Sequence, residues 1–296
     1  MKDGSQMKGL VVEQHEDRVV LSTEQGEVPV LREKIGNIAF DDPEWTFMEL
    51  GESNETAGRF GEALAYYEKA LAANANLEDA KKAVTRVRNR FWSAVVIGPR
   101  EEIEKRQALY DAWGKAKPGH PYDVQDHVRQ AISGLREGLG LVLSPKGDWV
   151  RISEAAPRKD AALAGLRRND RLVAMDGRSL RYLDADVVRE KFLSPRYSNL
   201  TLDYERDCTL RRTGFERSLD ELGMRIELGS QGLYLKAVKT GGPADKAGLK
   251  PGDLLMSVNG ASTRYLPIKK LLGVVVGGAG DDSVLSVRRS VLLTRK

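Results

Sequence analysis

At 296 residues the chain has room for two or three compact domains of about 100–200 residues each. Hydrophobic residues make up 41%, charged residues 30% and aromatic residues 6%, enough for several small cores and too apolar for a disordered chain. Lys and Arg number 47 against 43 Asp and Glu, and the net charge of +4 is interspersed, which argues against the concentrated basic footprint of a dedicated nucleic-acid binder.

The start, Met1-Lys2-Asp3-Gly4-Ser5, lacks the charged-then-apolar design of a secretory leader. No stretch reaches the ~18–20 continuous apolar residues of a membrane span, so a soluble chain is expected. Residues 8–40 then alternate apolar and polar in short runs, Leu10-Val11-Val12, Val19-Val20-Leu21 and Val28-Pro29-Val30-Leu31. Turns at Glu16-Asp17 and Gln25-Gly26 make this a small antiparallel β-meander, too short to stand alone.

From Asp42 the period lengthens to that of a helix. One helix is predicted over Pro43–Ala57, broken at Gly58, and a second over Gly61–Ala73. A third places Leu77, Ala80, Val84, Val87 and Phe91 on one face. Pro99 suits a first helical position ahead of Ile103, Tyr110 and Trp113. After the break at Lys117-Pro118-Gly119-His120-Pro121, Val124, Val128, Ile132 and Leu135 mark one more helix.

The remainder is a tandem duplication. Residues 131–213 lie over 214–296 at an offset of 83. Leu139-Gly140 falls on Leu222-Gly223, Ala164-Gly165-Leu166 on Ala247-Gly248-Leu249, Asp170 on Asp253, and Gly177 on Gly260. Ser179, Arg181, Tyr182 and Leu183 face Ser262, Arg264, Tyr265 and Leu266. Pro157 and Pro243 are 86 apart, so the loops around them are expected to differ in length. In the second copy strands are predicted at Met224-Arg225-Ile226, Gly232–Val238, Leu254–Val258 and Ser283–Arg288, with a helical turn at Ala244–Ala247 and a helix over Leu266–Val275. The first copy repeats this order, with its late helix near Asp184–Leu193, its last strand near Asn199–Arg206, and Cys208 in a turn beyond it.

The duplicated half resembles PDZ domains of the bacterial, circularly permuted type. Leu139-Gly140-Leu141-Val142-Leu143 and Leu222-Gly223-Met224-Arg225-Ile226 look like the family's carboxylate-binding loop and following strand. Pro243-Ala244 through Ala247-Gly248-Leu249-Lys250-Pro251-Gly252-Asp253-Leu254-Leu255, then Val258-Asn259-Gly260, is similar to its most diagnostic stretch. The first copy departs, with Arg167-Arg168-Asn169-Asp170 where Pro-Gly-Asp is usual. Residues 47–75 resemble one tetratricopeptide repeat through Phe47, Leu50, Gly51, Gly58, Phe60, Ala63, Tyr67 and Ala70, departing at Asn54 and Ala75. Such repeats are stabilised by stacking, so the helices after it are expected to cap it. The expected fold class is multidomain α+β: a meander (1–41), a tetratricopeptide-like module (42–97), a helical connector (98–130), and two PDZ-like, partly open β-barrels with two helices each (131–213 and 214–296).

The resemblance implies peptide capture. A tight Leu-Gly turn would aim successive backbone N–H groups at a C-terminal carboxylate, and the next strand would pair with an extended peptide. In the first copy this assigns Leu139, Gly140, Leu141, Val142 and Leu143, with Val188 and Phe192 as the helical wall. In the second it assigns Leu222, Gly223, Met224, Arg225 and Ile226, with Leu271 and Val275. The same apolar residues would equally fill a small core.

Catalytic patterns are poorly supplied. A single cysteine, Cys208, excludes an intramolecular disulfide framework and a Cys-clustered zinc site, and nothing around it marks a nucleophile. The 3 histidines, His15, His120 and His127, form no triad pattern, and the last two make a poor metal set with Asp123 and Asp126. Gly273–Gly280 lacks the Gly-Lys-Ser/Thr of a phosphate loop and reads as a flexible loop. The arginines of Arg86–Trp92 fall on a solvated helix face. No catalytic residue, metal or cofactor is expected.

The reading is therefore a non-enzymatic adaptor for protein or peptide C-termini or extended strands, with no nucleic-acid partner. The alternatives are a recognition or regulatory subunit of a separate protease or envelope complex, and a scaffold with closed grooves. The family resemblance points to a bacterial periplasm or envelope, with the cytoplasm as the other compartment.

Overall fold

A computed structural model describes residues 1–23, 26–40, 42–95, 135–183, 185–193, 199–211, 218–276 and 282–294. In chain order the elements are β1 (Leu10–Gln14), β2 (Arg18–Thr23), β3 (Gly26–Leu31), α1 (Pro43–Thr56), α2 (Phe60–Ala73), α3 (Glu78–Val95), β4 (Leu141–Lys146) and β5 (Trp149–Ala155). There follow α4 (Asp160–Leu163), β6 (Arg171–Met175), β7 (Arg178–Ser179), α5 (Ala185–Leu193) and β8 (Asn199–Leu210). The chain continues through β9 (Met224–Gly229), β10 (Gly232–Val238), α6 (Pro243–Lys246), β11 (Leu254–Val258), β12 (Ala261–Ser262), α7 (Ile268–Val276) and β13 (Ser283–Thr294). This is a mixed α+β chain in which the paired strands are mostly antiparallel. Among the described residues, no helix is long and apolar enough to cross a membrane.

From β4 to α5 every element recurs 83 residues later as β9 to α7, and β8 recurs as β13 shifted by one residue. The offset holds through the proline region, so the loops there do not differ in length. Pro157 lies in the loop before α4, whereas Pro243 opens α6 at the position that Asp160 takes in the first copy. The closing strands outrun the predicted ends at Arg206 and Arg288. Cys208 consequently lies inside β8, buried, and not in a turn. Its side chain joins Leu210, Leu285 and Val287 in one apolar core, and that burial pays for extending the strand. Gly273, expected in a flexible loop, sits within α7. The predicted helices after Pro99 and from Val124, the connector, and His120 and His127 fall outside the described residues, except that residues 135–138 are helical.

The chain divides into two compact units. The first comprises Met1–Arg168, Arg178–Leu200 and Leu293–Lys296. Here β1, β2 and β3 form the antiparallel meander, and β4 and β5 a hairpin. The helices α1, α2 and α3 share a core of Met48, Ala63, Leu64, Tyr67, Ala70, Leu77, Ala80, Val84 and Val87, the face that the periodicity marks out. Gly51 allows the close approach of α1 and α2, since a Cβ there would lie 2.5 Å from Cε1 of Tyr67. The Tyr67 hydroxyl donates to Glu55 at 2.8 Å, and Arg86 donates to the same carboxylate through Nε and Nη2 at 2.9 and 2.8 Å. The buried Glu55 therefore has a cation and a phenol to compensate its desolvation. The helices rest on the first copy through Phe47, edge-on to Tyr182 at 5.3 Å, the Lys69–Asp148 ion pair at 3.0 Å and the Lys191–Glu62 ion pair.

The second unit comprises Asn169–Gly177 and Thr201–Leu292. Its strand order is β6, β8, β13, β11, β10, β9, with β12 pairing β11. Leu222, Met224, Leu233, Leu235, Leu249, Leu255, Val258, Leu271, Val275, Leu285 and Val287 make its core. The corresponding strands β8 and β13 lie side by side, with Arg288 donating to Glu205 at 2.6 Å and Ser290 to Asp203. Partner numbers rise on one strand as they fall on the other, so this pair is antiparallel.

Candidate functional site

Residues 218–224 form the turn that enters β9. Met224 N–H donates to Leu219 O at 2.9 Å and Gly223 N–H to Asp220 O at 3.0 Å, the paired bonds of a Schellman turn. Gly223 has φ +75, a left-handed conformation that favours glycine. Leu222 N–H donates to Ser218 O at 3.3 Å. The N–H groups of Leu222, Gly223 and Met224 are thus engaged within the turn itself. The cause is simple: a helical turn precedes the glycine, and its last carbonyls take those donors.

The first copy is built alike. Gly140 has φ +76, and the N–H groups of Leu139 and Gly140 both donate to Leu135 O at 3.1 Å. A Cβ on Gly140 would come within 2.4 Å of the Lys159 side chain, which reaches on to donate from Nζ to Glu137 O at 2.7 Å.

The strand after each turn shows the alternation of a sheet edge lying over a core. Met224 and Ile226 are buried and Arg225 is exposed, while Leu271 and Val275 of α7, which packs beside β9, are fully buried in the same core. Leu139, Leu141, Leu143, Val188 and Phe192 are likewise buried, and Val142 is half-buried. The residues assigned as pocket walls therefore lie together as core beneath each strand-and-helix seam. At the rim of this seam Leu228 is 55% and Ile268 40% exposed.

The main chain of β9 defines the edge more closely. Among the described residues, β9 ends the strand order of its unit and pairs with β10 alone. Gly229 and Gly232 flank a two-residue turn, and Leu228 faces Leu233 as Ile226 faces Leu235. Leu233 N–H donates to Arg264 O at 2.7 Å and Leu235 N–H to Asp253 O at 2.8 Å, both away from β9. These two are therefore the non-hydrogen-bonded pairs of the ladder, and the N–H and C=O groups of Leu228 and Ile226 point to the open side. On the strand face of Arg225, Glu227 accepts from Lys236 and from the Tyr234 hydroxyl, at 2.8 Å for the latter. Those bonds, from Lys236 first and Tyr234 second, hold its carboxyl below the usual range.

Two features escaped sequence reasoning. Exposed Leu228 lies just past the three-residue strand read from alternation, and its exposure is a tertiary property. The other is a buried ion pair in each copy, Asp253 with Arg289 and Asp170 with Arg206. The duplication marked both aspartates, but nothing local points to arginines 36 residues away.

Residues 234–289 match the sequence family described as the PDZ domain. The matched stretch runs from within β10, through α6, β11, β12 and α7, into β13, all in the second copy. The chain thus carries a PDZ domain here, and PDZ domains bind peptides or proteins in general, which supports a protein-interaction role.

Proposed function

We propose that the chain is a non-enzymatic adaptor that takes extended peptide segments or C-termini of partner proteins by strand addition at the edge of β9. The observation that carries this reading is the open ladder of β9, where Ile226 and Leu228 present main-chain groups beside the α7 rim. An incoming strand satisfies those groups by pairing, and each bond adds about 0.5–1.5 kcal/mol. The internally bonded turn at Leu222–Gly223 favours register along β9 over carboxylate capture as the main source of affinity. The first copy, by its matching elements, is a second PDZ-like module. The α1–α2 pair is a tetratricopeptide-like hairpin whose role is packing, since its apolar face is spent on α3 and the first copy.

The test is titration of the full chain with fluorescein-labelled heptapeptides of alternating sequence, read by anisotropy and by backbone amide NMR shifts. Saturable binding with the largest shifts at Ile226 and Leu228 supports strand addition. A second reading, a scaffold with closed grooves, draws on the full burial of Leu271 and Val275 and on the engaged turn amides. No binding by any peptide would favour it. A peptide-binding chain that also co-purifies with a peptidase from native cells would place the adaptor as that enzyme's recognition subunit.

A further inference from the structure

The two copies differ at the place where an added strand would bond. In β4, Lys146 and Trp149 flank a two-residue turn and Pro145 faces Val150, the register that Gly229, Gly232, Leu228 and Leu233 take in the second copy. Among the described residues β4 pairs with β5 alone, so Pro145 stands in a non-hydrogen-bonded pair with its nitrogen facing the unpaired side of β4. A proline nitrogen has no hydrogen to donate, and its ring fills the space an approaching carbonyl needs. Proline and lysine on an edge strand are devices that discourage pairing with a further strand. The first copy has both, Pro145 followed by Lys146. At the same positions the second has Leu228, 55% exposed with its N–H outward, and Gly229.

From this difference we infer that strand addition is confined to the second copy, and that the residue at position 145 or 228 decides it. The inference rests on the strand-addition reading and sharpens it to one peptide per chain. It also states what that peptide must present. Leu228 lies on the strand face of Met224 and Ile226, yet unlike them it is largely open to solvent. The ligand is an extended segment with a carbonyl directed at Leu228 N–H and an apolar side chain beside the Leu228 side chain.

The experiment uses the full chain and the alternating heptapeptide that binds it best, with stoichiometry from isothermal titration. The wild type should bind one peptide. Leu228→Pro should weaken binding about tenfold, from one lost hydrogen bond and the ring's clash. It should leave the melting temperature close to that of the wild type, because the first copy accommodates proline at the same place. Pro145→Leu, with the second site intact, should raise the stoichiometry towards two. Leu228→Ala keeps the donor and removes the apolar contact, so its loss should be the smaller one. Two peptides on the wild type, or unchanged affinity in a folded Leu228→Pro variant, would overturn this assignment while leaving strand addition standing. If the wild type binds no peptide, strand addition itself fails and the assignment falls with it.

Discussion

Arg289 clasps Asp253 through Nε and Nη2, at 2.6 Å to each carboxylate oxygen, and both side chains are buried. Arg206 does the same to Asp170, 83 residues earlier in the chain, at 2.7 and 2.6 Å. Arg289 also donates to Gly248 O at 2.7 Å, and Asp253 accepts from Lys250 N–H at 2.8 Å, so the pair ties the turn before β11 to β13. Burial opposes the charge on Arg289, yet its bonds to Asp253 push the guanidinium still higher. It stays protonated throughout the working pH range.

Removing one partner should therefore cost far more than removing both. Asp253→Asn strands a buried guanidinium, and a loss of about 3–5 kcal/mol is expected. The double variant Asp253→Asn with Arg289→Met should recover a large part of it. Urea denaturation of the two proteins measures both values, and equal losses would show that the pair is not coupled.

Tyr67 yields a pH dependence with a definite sign. Burial first, and then its bond to Glu55, raise its hydroxyl well above the ordinary value of 10.0. The contribution is present below the unfolded tyrosine value and is lost as pH rises above it, because the unfolded chain then releases a proton that the folded one keeps. Melting temperature should fall as pH rises above 10.0, and Tyr67→Phe should flatten that fall while costing about 1 kcal/mol at neutral pH.

Gly51→Ala sets helix propensity against space. Alanine gains about 1 kcal/mol over glycine in a helix interior. Its methyl group, however, would lie 2.5 Å from the Tyr67 ring, and overpacking of that kind costs about 1–3 kcal/mol. A net loss of stability is expected in thermal melts, and a stabilised variant would show that the ring can move away.

Carboxylate dependence tests the turn at Gly223. With the N–H groups of Leu222, Gly223 and Met224 already bonded, amidating the C-terminus of a bound peptide should change its affinity less than about threefold, under 1 kcal/mol. A loss of a hundredfold would mean that the turn opens on binding.

Cys208 reports on the core where β8 contributes to it. Burial raises the thiol above its ordinary value and hides it from reagents. Ellman's reagent at pH 8 should react at the rate of opening of this unit, and much faster in the Asp253→Asn variant.

Much of the architecture was legible from local pattern. Alternation located the meander, the spacing of Leu77, Ala80, Val84 and Val87 located the α3 face, and self-similarity at 83 residues located the duplicated elements. The PDZ match over residues 234–289 covers the segment whose turn residues were the most diagnostic. The site was less legible. The residues assigned as pocket walls, from Met224 and Ile226 to Leu271 and Val275, are buried in one core, and apolar periodicity reports burial without distinguishing a groove wall from an interior.

The length of 296 residues suggested two or three domains, and sequence alone resolved that into a duplicated half and an N-terminal half of different period. These are local and periodic properties, set by which side chains must leave water. Tertiary structure decided the rest. It placed Glu205 against Arg288, its own counterpart in the duplication, and seated Asp253 under Arg289. It also turned the donor of Leu228 to an open edge while a proline holds that place in the first copy. Such facts depend on which strands become neighbours and in what register, and hydrogen-bond geometry across a sheet leaves no trace in the pattern of a single strand.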